Sequence, residues 1–145
     1  MAIGLLIVLC SVLVARNWWL VSAGGRHDHA LALWKSKEPK AYSFEFSYCS
    51  GMCEACTVRV TVQGGQVVNA VGTDPAGCSI RPDEVPTIEG VFKIEKDSRS
   101  SESTDSFTIR YDPTWGFPAS GEFQCPEGWM DCGSGFRVTH FRVER

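Results

Sequence analysis

The chain has 145 residues, the usual size of a single domain. The 122 residues after the apolar segment 1–23 hold thirteen Lys and Arg against seventeen Asp and Glu, a formal charge of −4. This acidic balance argues against nucleic acid as a partner, and the length excludes large catalytic scaffolds such as a (β/α)8 barrel. With 43% apolar residues the chain can bury a core, so it is not a disordered acidic tail.

The N-terminal segment has the features of an export signal. Residues 2–15 form an uncharged apolar run that spans about 21 Å as a helix, less than the roughly 30 Å hydrocarbon core of a bilayer. That length fits a signal peptide, and Val21-Ser22-Ala23 offers a small-residue cleavage site. Residues 3–23 together are also long enough for a retained membrane anchor, and a buried helix of a soluble protein is the third interpretation. We predict a signal peptide or anchor over 1–23 and one exported domain, periplasmic or extracellular, over 24–145.

The first half of the exported body predicts one short helix and three strands. Asp28 can cap a helix over about 29–37, and Pro39 ends it. Three segments with strand-like apolar patterns follow, the first carrying four aromatic residues on one face: 42–48, 56–63 and 66–71. Gly64-Gly65 is a hairpin signal between the last two.

The second half predicts another helix and three more strands. Residues 72–86 are rich in Gly, Pro and Asp and predict a loop, after which Thr87 can cap a helix over 88–96. A polar linker over 97–105 precedes three predicted strands, at 106–111, 117–124 and 135–144. The apolar alternation of the last strand changes phase near His140, which predicts a bulge or an edge strand. The fold class is therefore α+β, a mainly antiparallel sheet of about six strands with the second helix between two three-stranded sets.

Six cysteines follow the N-terminal segment: Cys49, Cys53, Cys56, Cys78, Cys125 and Cys132. An even number of cysteines in a small exported domain predicts a disulfide framework. Sequence alone does not select among the fifteen possible connectivities. The position of each cysteine relative to the strands favours the pairs Cys125–Cys132, Cys49–Cys56 and Cys53–Cys78.

The cluster Cys49/Cys53/Cys56 also admits other chemistry. Its C-x3-C-x2-C spacing occurs in iron–sulfur enzymes, and Cys53-Glu54-Ala55-Cys56 is a C-x-x-C dithiol. With Cys78 the cluster has tolerable spacing for structural zinc. The retained alternative is a thiol-redox or zinc protein. Export favours oxidation, so we predict no metal and no cofactor.

No catalytic motif stands out, so we predict no catalytic residue and leave enzymatic activity undecided, leaning against it. His27, His29 and His140 are most simply surface residues, although the first two could hold a metal. The third hypothesis is a small envelope hydrolase that uses loop carboxylates, and it requires one of them to be buried with a raised pKa. The candidates are Asp74, Asp83, Asp105 and Asp112.

The second half of the chain contains the turn Tyr111-Asp112-Pro113-x-x-Gly116-Phe117-Pro118, preceded by aromatic and Val-rich alternation. This layout resembles a family of small exported bacterial proteins and lipoproteins with a domain of unknown function, marked by a Tyr-Asp-Pro-x-x-Gly-Tyr/Phe-Pro turn. The resemblance covers about residues 30–144 and implies export and a small α+β domain, but no activity. This chain differs by having no lipobox cysteine and by its additional cysteines.

The turn also has a physical interpretation. Asp112 can bond backbone groups two residues on, Gly116 can take a positive φ, and Phe117 can return to the core. An exposed Trp115 at its tip would instead make Trp115, Asp112 and Phe117 a candidate binding patch. Tyr48 and Trp129 would extend this patch if they lay at the same end of the sheet. We therefore expect a non-enzymatic binding or accessory module with an envelope protein as partner, in contact with membrane only through its N-terminal segment.

Overall fold

The computed structural model describes residues 22–50, 56–73, 81–130 and 132–144. Two α-helices lie in this part of the chain: α1 (Ala23–Lys37) and α2 (Ile88–Arg99). Six strands form one antiparallel sheet: β1 (Ala41–Ser50), β2 (Cys56–Gln63), β3 (Gln66–Gly72), β4 (Ser106–Tyr111), β5 (Pro118–Gln124) and β6 (Ser134–Val143). A 3-10 turn, Pro82–Glu84, precedes α2. The α+β class is confirmed, with α2 between two sets of three strands.

The first and last strands of the domain are neighbours at the centre of the sheet. The strand order is β3-β2-β1-β6-β5-β4, so each half of the chain forms a three-stranded meander. The two meanders join where β1 pairs with β6 along nearly its whole length, from Tyr42↔Val143 to Ser50↔Ser134. This pairing leaves β3 and β4 as the edges.

Both helices cover one face of the sheet. Alternate residues of β1 and β2 point to this face, as the alternation predicts: Tyr42, Phe44, Phe46, Val58, Val60 and Val62. Ile88, Val91 and Phe92 from α2 and Trp34 from α1 pack with them in one core. Tyr48, the fourth aromatic of the alternation, is 42% exposed. The core therefore lies between the two helices and one side of the sheet, and no helix of the described residues covers the other side.

The first helix begins six residues earlier than predicted. Its N-cap is Ser22, whose hydroxyl accepts a hydrogen bond from the Gly25 backbone N–H, so the prediction of Asp28 as the cap is wrong. The added turn places the buried ring of His27 edge-on to Phe92 of α2, with ring centroids 5.6 Å apart. Glycine disfavours helix, but this long-range packing overrides the local propensity.

The predicted bulge in the last strand is confirmed at His140. Its φ is 53°, and the β1–β6 register shifts between Ser43 and Glu45. The extra residue returns Phe141 to the covered face, where its ring lies 4.9 Å from that of Phe117. The edge-strand alternative is wrong, because β6 pairs with β1 on one side and β5 on the other.

Several predicted segments lie outside the described residues. They include the signal or anchor over residues 1–21, part of the loop over 72–86, and Cys53, Cys78 and Asp74. In the parts of the chain that the structure describes, no helix has the length and apolar character needed to cross a membrane. The linker predicted from 97 starts later, because α2 continues to Arg99.

Candidate functional site

The turn after β4 is built by short-range hydrogen bonds. One carboxylate oxygen of Asp112 accepts from the backbone N–H groups of Thr114 and Trp115, at 2.8 and 2.7 Å. Gly116 has a φ of +83°, and Phe117 is 3% exposed in the core. The side chain of Asp112 thus fixes the loop conformation, and Phe117 anchors it to the sheet.

The same turn packs against the end of α1. The half-buried Trp115 ring lies 5.2 Å from the Phe141 ring. The Lys37 ammonium lies 5.4 Å from the centroid of the Trp115 ring and donates a hydrogen bond to the Thr114 carbonyl. A Cβ on Gly116 would lie 2.4 Å from the Ala30 carbonyl oxygen, so the approach to the helix is close. The indole is therefore held between α1 and the sheet and does not project from the turn.

Tyr48 and Trp129 do not extend this patch. Tyr48 lies near the end of β1, and Trp129 lies in the connection from β5 to β6, where Ser134 pairs with Ser50. The turn with Trp115 lies towards the opposite end of the sheet, because Trp115 contacts Phe141 near the end of β6, whereas Tyr48 pairs with Phe136 near its beginning. The condition under which Tyr48 and Trp129 would extend the patch is therefore not met, since the three aromatics occupy two ends of the domain.

A buried carboxylate on α2 was not identified as a special residue from the sequence. Glu95 is 0% exposed. Its Oε1 accepts a hydrogen bond from Tyr111 Oη at 2.5 Å and a second one from the ring nitrogen Nδ1 of His27 at 3.1 Å. The guanidinium Nε of Arg99 lies 3.8 Å from the same oxygen. The partners of Glu95 therefore come from α1 and β4 as well as from α2.

Two tyrosines are held neutral by their surroundings. Burial, then the hydrogen bond to Glu95, raises the pKa of Tyr111 far above its ordinary value. Burial likewise raises the pKa of Tyr42, whose hydroxyl accepts from the Ile88 N–H and lies 3.4 Å from Glu89 Oε2. Both phenols therefore act as hydrogen-bonding groups at neutral pH and are poorly suited to give up a proton.

The side of the sheet that faces away from α1 and α2, here called the open face, is concave and carries many polar side chains. The central strand β1 contributes Ser43, Glu45 and Ser47, which are half-buried although neither α1 nor α2 covers them. A basin of about 600 Å³ lies over the middle strands, lined by polar side chains that include Ser47, Thr57, Ser120, Glu122, Arg137 and Thr139. A smaller hollow of about 370 Å³ lies beside the basin, and Glu45 lines both of them.

Glu45 organises the centre of the open face. Its Oε1 accepts from Arg59 at 2.8 Å, and its Oε2 lies 2.8 Å from His140 Nδ1. The hydrogen bond from Arg59 is the main reason that the pKa of Glu45 lies below its ordinary value. The bulge at His140 thus serves two purposes, since it turns the imidazole towards Glu45 and returns Phe141 to the core.

Three other arginines of the open face have no partner in the part of the chain that the structure describes: Arg110, Arg137 and Arg142. The register places Arg110 and Arg137 on either side of Ser120, and Ser47 and Thr57 continue this row. Arg142 lies further along β6, where it pairs with Ser43 of β1. An arginine offers a planar fork of donors that suits carboxylates, so these side chains can bind an anionic partner.

The cysteines support the predicted framework in part. Cys125 and Cys132 form a disulfide with a Cα–Cα distance of 5.7 Å, as expected. Cys49 and Cys56 are each disulfide-bonded. The register pairs Cys56 with Tyr48, so Cys49 and Cys56 point to opposite faces of the sheet, and their predicted pairing with each other is wrong. No group of metal-ligating side chains occurs among the described residues.

The remaining candidates are dispersed. His29 is exposed on α1, whereas His27 is buried and not a surface residue as expected. Asp83 is exposed and lies 3.7 Å from Arg81, and Asp105 is also exposed. The described loop carboxylates therefore lack the burial that the hydrolase hypothesis requires, and among the described residues the buried acid is Glu95.

The described residues form a two-layer α+β domain, with both of their helices on one face of the sheet and the open face on the other. Residues 26–143 match DUF6174, a family of unknown function, and the chain belongs to this family. No curated protein and no solved structure matches the chain significantly. Membership of a family of unknown function is confirmed, while bacterial export and the turn as a family mark stay predictions.

Proposed function

We propose that the protein is a non-enzymatic binding or accessory module of the cell envelope, and that the open face is its binding surface. The observation that carries this proposal is the concave basin on that face, with the unpaired Arg137 among hydroxyl side chains. Interfaces gain specificity from such charged groups when a partner supplies the complementary charge.

The protonation states of the polar groups favour binding over acid–base catalysis. General acid–base catalysis works best with a group whose pKa lies near the working pH. The raised pKa of Tyr111 keeps it neutral, and the lowered pKa of Glu45 keeps it charged, so neither changes state near neutrality. These groups supply a fixed pattern of donors and charges, which suits recognition of a partner.

The second part of the proposal is that the cysteines act as structural links in an oxidising compartment. The bridge between Cys125 and Cys132 supports it, as do the bonded states of Cys49 and Cys56. Intact mass of the native protein after alkylation, with and without prior reduction, tests it. Six blocked sulfurs and no bound metal are expected, whereas free thiols or stoichiometric zinc would favour the thiol-redox or zinc alternative.

The binding role is tested by capture from an envelope extract. Ser120→Trp fills the basin, and Thr108→Trp adds the same bulk on the exposed edge of the same face. A partner retained by the wild type and by Thr108→Trp but lost by Ser120→Trp supports the open face. Thermal unfolding of each variant confirms that the fold is intact.

The turn is the second candidate surface, because Trp115 is only half-buried beside Lys37. Trp115→Ala in the same capture experiment separates the two surfaces. Loss of the partner with Trp115→Ala, together with retention by Ser120→Trp, would move the binding site to the turn. An unchanged partner list with Trp115→Ala would remove the turn from consideration.

A further inference from the structure

We infer that the open face binds an extended acidic segment of a partner protein, with carboxylates of that segment on Arg137 and Arg142. This inference rests on the proposed function and names the chemistry of the partner. Two observations carry it: the spacing of the unpaired arginines, and the distribution of charge between the open face and the rest of the domain.

The spacing of the arginines excludes a single small anion as the ligand of both. Arg137 and Arg142 pair with Ser47 and Ser43, which are four positions apart on β1, so they lie about 13 Å apart along the sheet. One carboxylate cannot bridge this distance, but an extended peptide can. Residues i and i+4 of such a segment point to the same side about 13 Å apart, within reach of two long arginine side chains.

The charge of the open face is opposite to that of the rest of the domain. The face carries four arginines against three glutamates: Arg59, Arg110, Arg137, Arg142, Glu45, Glu122 and Glu144. The remaining described residues hold eight Lys and Arg against eleven Asp and Glu. Arg59 neutralises Glu45, and the three remaining arginines outnumber Glu122 and Glu144, so the net charge on this face is positive.

The rest of the described surface carries a net negative charge, which favours binding of an acidic segment on the open face over binding elsewhere. Hydroxyl groups between the arginines can bond the peptide backbone of the ligand. Ser47 and Ser120 are half-buried next to Arg137, and Thr139 follows it on the same side of β6. Backbone recognition of this kind favours a polypeptide over a polyanion without amide groups.

The test uses two fluorescein-labelled eight-residue peptides of identical composition, serine with two glutamates, and fluorescence anisotropy with the full chain. One peptide has its glutamates four positions apart, and the other has them adjacent. We expect the spaced peptide to bind at least fivefold more tightly. Arg137→Gln is expected to weaken it about tenfold, whereas Lys35→Gln, which removes an exposed charge on α1, leaves binding unchanged.

The outcomes separate this inference from the proposed function. Equal binding of both peptides, no effect of Arg137→Gln, or competition by polygalacturonate as strong as by the spaced peptide would each overturn the acidic-segment assignment. In any of those cases, a partner lost by Ser120→Trp and kept by Thr108→Trp would still support the binding module. Discrimination between the peptides that disappears in Arg137→Gln supports the inference.

Discussion

Tyr111 donates its hydroxyl hydrogen to Glu95 at 2.5 Å, which links the first residue of the turn after β4 to the buried side of α2. The same carboxylate oxygen contacts His27 of α1, so one buried charge connects both helices with the sheet. A buried carboxylate is costly to desolvate unless donors surround it. The hydrogen bonds of Glu95 are therefore expected to matter more to stability than those of surface pairs.

A double-mutant cycle on this pair tests that expectation. Tyr111→Phe should lower the free energy of unfolding by about 1.5–3 kcal/mol, because a hydrogen bond to a charged, buried acceptor is lost. In a Glu95→Gln background the same change should cost less, since the buried charge is gone. Urea unfolding measures both, with Tyr48→Phe as the exposed control. Equal costs in the two backgrounds would show that the bond is not charge-assisted.

Alkaline pH should destabilise the domain through its buried tyrosines. The pKa values of Tyr42 and Tyr111 are raised in the folded state, whereas an unfolded tyrosine ionises near pH 10. Their contribution to stability is full below about pH 10 and is lost as the pH rises towards the folded-state pKa, because only the unfolded chain releases these protons.

The urea midpoint between pH 8 and pH 11 checks this dependence. The wild type should lose stability steadily above about pH 10, and Tyr42→Phe/Tyr111→Phe should lose less over the same interval. Tyr48 remains in both proteins and serves as the internal reference. A double variant with the same decline as the wild type would contradict the prediction.

Gly116→Ala should be strongly destabilising for two separable reasons. The residue has a φ of +83°, and a Cβ would lie 2.4 Å from the Ala30 carbonyl oxygen of α1. We expect the free energy of unfolding to fall by about 2–5 kcal/mol, because the left-handed backbone conformation and the overpacking against α1 each cost stability. Gly128→Ala is the matched control, because Gly128 has a φ of +87° but no atom near its missing Cβ. Similar losses at both positions would mean that contact with α1 contributes nothing.

His140 should tolerate glycine better than a β-branched residue. Its φ of 53° is a left-handed conformation that glycine adopts without strain and valine does not. We expect His140→Gly to change stability by less than about 1 kcal/mol and His140→Val to cost more than about 1 kcal/mol. Thermal unfolding of both variants is the measurement. If valine is tolerated as well as glycine, the bulge is not fixed by backbone conformation.

Features that depend on neighbours along the chain could be predicted from the sequence. The alternation over 42–46 and 58–62 gave the buried face of β1 and β2, because strand side chains alternate with a period of two. The residues of the turn at Asp112 and Gly116 set its hydrogen bonds and its positive φ in the same local way. The phase change near His140 likewise indicated the bulge before any partner strand was known.

Features that depend on contacts between distant segments needed the tertiary structure. Alternation tells which residues of one strand share a face, but not which strands are neighbours, so the pairing of β1 with β6 was out of reach. For the same reason the sequence did not show that Arg110, Arg137 and Arg142 share the open face. Nor did it show that Glu95 meets Tyr111 in the interior.

The amino-acid sequence by itself determined the α+β class, the two helices, the strands and the chemistry of the turn, since short-range sterics and hydrogen bonds govern them. Only the tertiary structure decided where α1 begins, which cysteines face each other, and which charges are buried or unpaired. Those outcomes follow from packing between residues far apart in the chain, such as His27 with Phe92, whose energy overrides local preference.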